Sequence, residues 1–135
     1  MKFQAYIGVT GEEAAVRAFS TEANLNESKL RPLASGGDPR RSKTGLWLWR
    51  TKRVAISPDE PELGLENLVH SHLHLAATIK KHRRSLAEVV VNLIAQNGEG
   101  ESPRTYAFSE QLIQMLTQLG AALTVDAVSV MSDPD

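Results

Sequence analysis

Phe3, Ala5, Ile7 and Val9 alternate with Lys2, Gln4, Tyr6 and Gly8, the two-residue period of a strand with one face in a core. Thr10 follows as an N-cap, with Glu12 and Glu13 placed to favour the dipole of a helix. The alanine-rich run to about Ala23 reads as that helix, with Ala15, Ala18 and Phe19 inward and Asn24 or Asn26 ending it. A short strand is expected from Ser28 to Leu33, then a loop through Ala34-Ser35-Gly36-Gly37-Asp38-Pro39. From Gly45 a second extended run begins, Leu46-Trp47-Leu48-Trp49 and then Val54 and Ile56. Its first half is apolar on both faces, which predicts a central strand or one that meets another surface.

Ser57-Pro58-Asp59-Glu60 has the form of a capping box with proline at the first helical position. The regular helix is expected over 62–81, because Leu65, Leu68, Leu75, Ala76 and Ile79 share a face. Leu86 to Ala95, with three consecutive valines, reads as a buried strand, and Gln96 to Pro103 as a polar loop. Ser109 is an N-cap for a helix in which Leu112, Met115, Leu116 and Leu119 recur, and Gly120 is its terminator. Leu123, Val125 and Ala127 form a last strand, and Ser132-Asp133-Pro134-Asp135 a frayed tail. The order β-α-β-β-α-β-α-β predicts an α+β fold. It opens with a ferredoxin-like βαββαβ unit and adds a C-terminal helix and strand. The sheet should be mainly antiparallel, with helices packed on one face, in a single domain over 1–131 with a tail at 132–135.

Composition narrows the function classes. The 135 residues are 41% apolar and 23% charged, which suits one folded domain and argues against disorder. With no cysteine, disulfides, cysteine-bound zinc, iron–sulfur clusters and thiol catalysis are all excluded. No apolar run reaches the roughly 18 residues of a membrane span. The alternating N-terminus lacks the apolar stretch of a signal peptide, so a cytoplasmic location is expected. The formal charge of −1 conceals blocks. Residues 31–53 carry seven bases and one acid, 54–79 four acids, and 80–84 four bases, while seven acids and one base follow from Glu88 onward.

Four features together resemble a known family: the opening strand and helix ending near Asn24-Leu25; Gly37-Asp38-Pro39 followed by bases; Gly45-Leu46-Trp47-Leu48 opening a strand; and the helix from Ser109-Glu110-Gln111-Leu112 to Leu119-Gly120, leading into Leu123-Thr124-Val125-Asp126. In this order the chain is similar to the bacterial family catalogued as domain of unknown function 4279. It departs from that pattern in a short junction between Ile79 and Val89 and in Trp49, where a small or polar residue is usual. The resemblance implies a small bacterial α+β domain with no established reaction. It also places the chain near proteins suspected of acting as immunity proteins beside toxins.

Candidate chemistry is sparse. On a helix His70 and His74 would share a face at a spacing that lets two imidazoles reach one metal ion, but a third ligand is missing nearby. Their ordinary reading is solvated, with His72 a hydrogen-bonded histidine at the core edge. Arg40, Arg41 and Lys43, with Trp47 and Trp49 close behind, are candidates for partner binding, since arginine and tryptophan anchor interfaces. The same 40–53 block would suit phosphates, but an isoelectric point near 6.4 disfavours a dedicated nucleic-acid binder. Lys80-Lys81-His82-Arg83-Arg84 is explained by closing a helix. Neither a nucleophile elbow nor a phosphate-binding glycine loop occurs. The expectation is a non-enzymatic module without cofactor that binds a protein partner or a second copy of itself. The rivals are a metal protein or enzyme using His70 and His74, and a weak nucleic-acid binder.

Overall fold

A computed structural model describes residues 2–24, 30–32, 45–96 and 107–135. Strand β1, Lys2–Glu12, runs through the middle of the sheet and leads into helix α1, Glu13–Glu22. Strands β2, Leu30–Pro32, β3, Leu46–Arg50, and β4, Val54–Ile56, come before helix α2, Pro61–Ser71. A single 3-10 turn, Leu73–Leu75, joins α2 to helix α3, Ala76–His82. Strand β5, Leu86–Gln96, helix α4, Glu110–Leu119, and strand β6, Ala122–Val128, complete the order. The fold is α+β, with a six-stranded mixed sheet and four α-helices among the described residues.

The sheet runs β2-β3-β1-β5-β6, and β4 also pairs with β1. β1 is antiparallel to β3, β4 and β5, whereas β5 and β6 are parallel and joined through α4. The sheet is thus mainly antiparallel, but it departs from the ferredoxin-like arrangement. β3 and β4 lie end to end along β1, and β6 adds a parallel edge beyond β5. Parallel pairing at β5–β6 follows from the helical crossover, since a strand that returns through a helix enters the sheet in the same direction.

Period-2 alternation sets the two faces. Phe3, Ala5, Ile7 and Val9 of β1, Val89, Val91 and Leu93 of β5, and Trp49 of β3 turn toward the helices and are buried. They meet Val16 and Phe19 of α1, Leu65 and Leu68 of α2, Ile79 of α3, and Leu112, Leu116 and Leu119 of α4 in one core cluster. The inward side of α1 is carried by Val16 and Phe19; Ala18 is exposed.

Three local expectations shift. Thr10 does not cap a helix: β1 continues to Glu12 because the ladder with β3 extends to Leu46, and the register with β5 slips between Thr10 and Gly11. The Ser57–Glu60 capping box does not form; α2 starts at Pro61 with no side-chain cap. The helix expected over 62–81 breaks at His72. There the Ser71 hydroxyl donates to the carbonyl of Asn67 at 2.7 Å, and the His72 Nδ1 lies 2.8 Å from the carbonyl of Leu68. Side chains that engage these carbonyls compete with the helical ladder, and His72 leaves helical geometry at φ −119°.

Two glycines are required by position. A Cβ on Gly64 would lie 2.9 Å from Ile56, so only a bare backbone lets α2 approach β4 this closely. Gly120 closes α4 at φ 87°, as expected, and its N–H bonds the carbonyl of Leu116 at 2.9 Å. At the other end the Ser109 hydroxyl accepts from the N–H of Leu112 at 3.2 Å. Gly120→Ala is expected to cost about 1–2 kcal/mol, because an L side chain in that region meets its own backbone. Ile79 would stand 3.3 Å from the new methyl. A urea titration should show a lower midpoint at unchanged slope; an unchanged midpoint would contradict the left-handed cap.

Candidate functional site

The face of the sheet turned away from the helices carries the other parity: Tyr6, Gly8 and Thr10 of β1, Leu48 and Arg50 of β3, and Asn92 and Ile94 of β5. Arg31 of β2 joins them by pairing with Leu48. Between β3 and β4 the extended run is interrupted at 51–53. Thr51 keeps the strand tethered there: its N–H donates to the carbonyl of Ile7 at 2.9 Å and its Oγ1 accepts from the N–H of Ile7 at 3.0 Å. The interruption brings Arg50 and Arg53, three residues apart, to the same place.

Tyr6, Arg31, Leu48, Arg50, Arg53 and Ile94 line an open hollow of about 310 Å³. The Arg50 guanidinium lies 5.7 Å from the centre of the Tyr6 ring, a cation–π contact that orients it. The Tyr6 hydroxyl in turn accepts from Asn92 Nδ2 at 3.0 Å. Arg31 makes no ion pair among the described residues.

Asp135 is seated against this hollow. Its Oδ2 accepts from Arg50 Nη1 at 2.5 Å and from the backbone N–H of Arg53 at 3.1 Å, and its Oδ1 lies 3.2 Å from Arg53 Nη2. The Arg50 hydrogen bond, reinforced by the Arg53 N–H, holds the Asp135 carboxyl well below the usual carboxylate range. The stretch before it is fastened as well. Gln4 Nε2 donates to the carbonyl of Ser132 at 2.6 Å, and Arg53 Nη2 to that of Asp133 at 3.3 Å. Residues 132–135, expected to fray, therefore lie along β1 and β4.

The residues singled out from the sequence are distributed differently. Arg40, Arg41 and Lys43 lie outside the described residues. Trp49 is 3% exposed and packs edge-on against Phe19 at 6.0 Å, on the opposite face from Arg50, so it is core rather than a partner anchor. Trp47 is half-buried against the same core, with the Arg17 guanidinium 5.4 Å from its ring centre. At 47–49 β3 is paired on both sides, by β2 and β1, so a second copy cannot add to its edge there.

His70 and His74 are exposed and separated by the break at His72. The His72 and His74 rings stack at 6.0 Å, and His72 is the half-buried, hydrogen-bonded histidine expected. Among the described residues no three His, Asp or Glu side chains converge on a point a metal ion could take.

Three side chains of the basic run at 80–84 tie elements of the fold together. Lys81 bonds Glu22 at 2.5 Å, His82 reaches the same carboxylate, and Arg83 Nη1 donates to the carbonyl of Gly120 at 2.5 Å. Hydrogen bonds from Lys81 and His82 lower the Glu22 carboxyl below its ordinary range. Asp59, Glu60, Glu62 and Glu66 line a separate acidic hollow beside Ser109, whose N–H bonds Glu62 at 2.5 Å.

Tyr6, Arg31, Arg50, Arg53 and Asp135 were not recognised from the sequence as one cluster. Strand parity held part of the signal, since Arg50 must share a face with Leu48 and not with Trp49. Comparison of the chain with protein-family models, curated proteins and solved structures finds no match.

Proposed function

We propose that the chain is a non-enzymatic module that binds a protein partner through the arginine hollow on the helix-free side of its sheet. The observation that carries this is two guanidinium groups, from Arg50 and Arg53, on one carboxylate, with a third, that of Arg31, lining the same hollow. Guanidinium recognises carboxylates and phosphates through directed donors, and arginine does not exchange its proton near neutrality, so the chemistry favours recognition over transformation. Tyr6 beside Arg50 adds the amphipathic surface that interfaces favour.

The resemblance to the family of unknown function 4279 supports a bacterial setting and an immunity-type role, both part of this proposal. This reading rests on Arg31, Arg50 and Arg53 rather than on the buried Trp49, while Arg40, Arg41 and Lys43 lie outside the described residues. A second copy of the chain remains a candidate partner on the same surface.

The test is co-expression with the products of neighbouring genes, followed by co-purification. A stoichiometric complex is expected with the wild-type chain, and Arg50→Glu/Arg53→Glu should weaken it at least ten-fold while leaving the circular dichroism spectrum unchanged. If no neighbouring product and no second copy associates, the proposal fails. Tight association that ignores the double substitution would move the interface elsewhere.

A further inference from the structure

The 129–135 segment is held mainly through groups that any extended chain offers. Its carbonyls at Ser129, Ser132 and Asp133 accept from Gln96, Gln4 and Arg53, and the side-chain carboxylate of Asp135 meets Arg50 and Arg53. Carbonyl contacts carry little side-chain specificity, so the donors on the sheet fit an extended peptide in general and an acidic one in particular. The resident segment also fits loosely. A space of about 260 Å³ remains between it and Phe3, Gln4, Ala55, Ile56 and Pro58. Gln4 is 4% exposed, and its Oε1 is buried with no hydrogen-bond partner among the described residues. An occupant that donates to this oxygen gains a bond the resident segment does not make, and relieves a buried acceptor.

We infer that the groove along β1 and β4, running into the arginine hollow, is a binding site for an extended acidic peptide segment, and that residues 131–135 occupy it as an internal ligand. This rests on the partner-binding reading above and supplies the chemistry of the partner: a backbone carbonyl for Gln4 and, about three residues on, a carboxylate for Arg50 and Arg53. An external segment must displace the tethered one, whose effective concentration reaches the millimolar range on so short a connection. Apparent affinity is then reduced by the fraction of molecules whose groove is already filled.

The probe is a fluorescein-labelled peptide copying residues 128–135, titrated by anisotropy into the 135-residue chain at low salt. Asp135→Arg, which sets a cation against Arg50 and Arg53, is expected to bind the peptide at least ten-fold more tightly than the wild-type chain. Adding Arg53→Glu to Asp135→Arg should abolish that binding, and a peptide carrying Asp135→Asn should bind ten-fold more weakly to the opened chain. Circular dichroism on each variant separates loss of the site from loss of the fold. Equal affinity for the wild-type and Asp135→Arg chains overturns the internal-ligand role. Failure of the peptide to bind any folded chain overturns the groove as a peptide site, while the partner reading still stands or falls on its own co-purification.

Discussion

Trp49→Ala is expected to lower stability by about 3–5 kcal/mol, a large share of the roughly 5–15 kcal/mol that holds a domain together. The indole lies almost wholly under α1, with its ring 6.0 Å from that of Phe19, and truncation would leave a void that the sheet on one side and the helix on the other cannot close. Trp49→Phe should behave differently. The indole N–H is buried without a hydrogen-bond partner among the described residues, so phenylalanine loses volume but removes an unsatisfied donor. Its net cost should be about 1–2 kcal/mol. Trp47→Ala should fall between, because Trp47 is half-buried and meets Arg17 on its exposed side. Urea titrations of the three variants decide the matter. A Trp49→Ala loss below about 1.5 kcal/mol would show that this side chain is not packed under α1.

Asn92→Asp is expected to destabilise the chain by about 3 kcal/mol at neutral pH and by much less in acid. Asn92 is 5% exposed and acts as the hub of a polar cluster on the helix-free face. Its Nδ2 donates to the Tyr6 hydroxyl and to Asp126, each at 3.0 Å, and its Oδ1 accepts from Thr124 at 2.9 Å. Aspartate keeps the acceptor but loses both donors, and it places a carboxylate against that of Asp126. The pair can be accommodated by sharing a proton, which raises the folded-state pKa above the unfolded value. Stability conferred by that proton is fully present below the unfolded carboxylate range and is lost as pH rises through the raised value. The gap between variant and wild type should therefore widen from pH 4 to pH 7. A gap that stays constant over this interval would mean that the two carboxylates do not meet.

Local chemistry made part of this fold legible. α4 could be read from Ser109 to Gly120 because its cap, its leucine spacing and its left-handed terminator all act within a turn of the residues that encode them. β1 and β5 were legible for the same reason, through alternation and a run of valines. What escaped depended on partners far along the chain. Thr10 reads as a cap until β3 arrives to extend the ladder to Glu12. Leu46-Trp47-Leu48-Trp49 is apolar on both faces, so the side that receives the helices is undecided until α1 packs against it. The break at His72 reflects side chains of Ser71 and His72 engaging carbonyls one turn back, which apolar spacing does not report. The arginine hollow joins β1, β2, β3 and β5 with a carboxylate more than 80 residues from the arginines it meets. No window along the sequence contains that site.

β1 pairs at Lys2 with Gln96 and at Glu12 with Leu46, so the central strand is also the first of the sheet to be synthesised. At about 5–20 residues per second, β5 follows it by on the order of 4–17 s. Through that interval one edge of β1 has no native strand to bond, although Phe3, Ile7 and Val9 are already present to make it adhesive. α1 and β3 can reach β1 sooner and cover its apolar side and its other edge. Nascent chains arrested before β5 should therefore be prone to edge-to-edge association through β1, and the β1–β5 ladder hands the open edge on to β5 until β6 pairs with it.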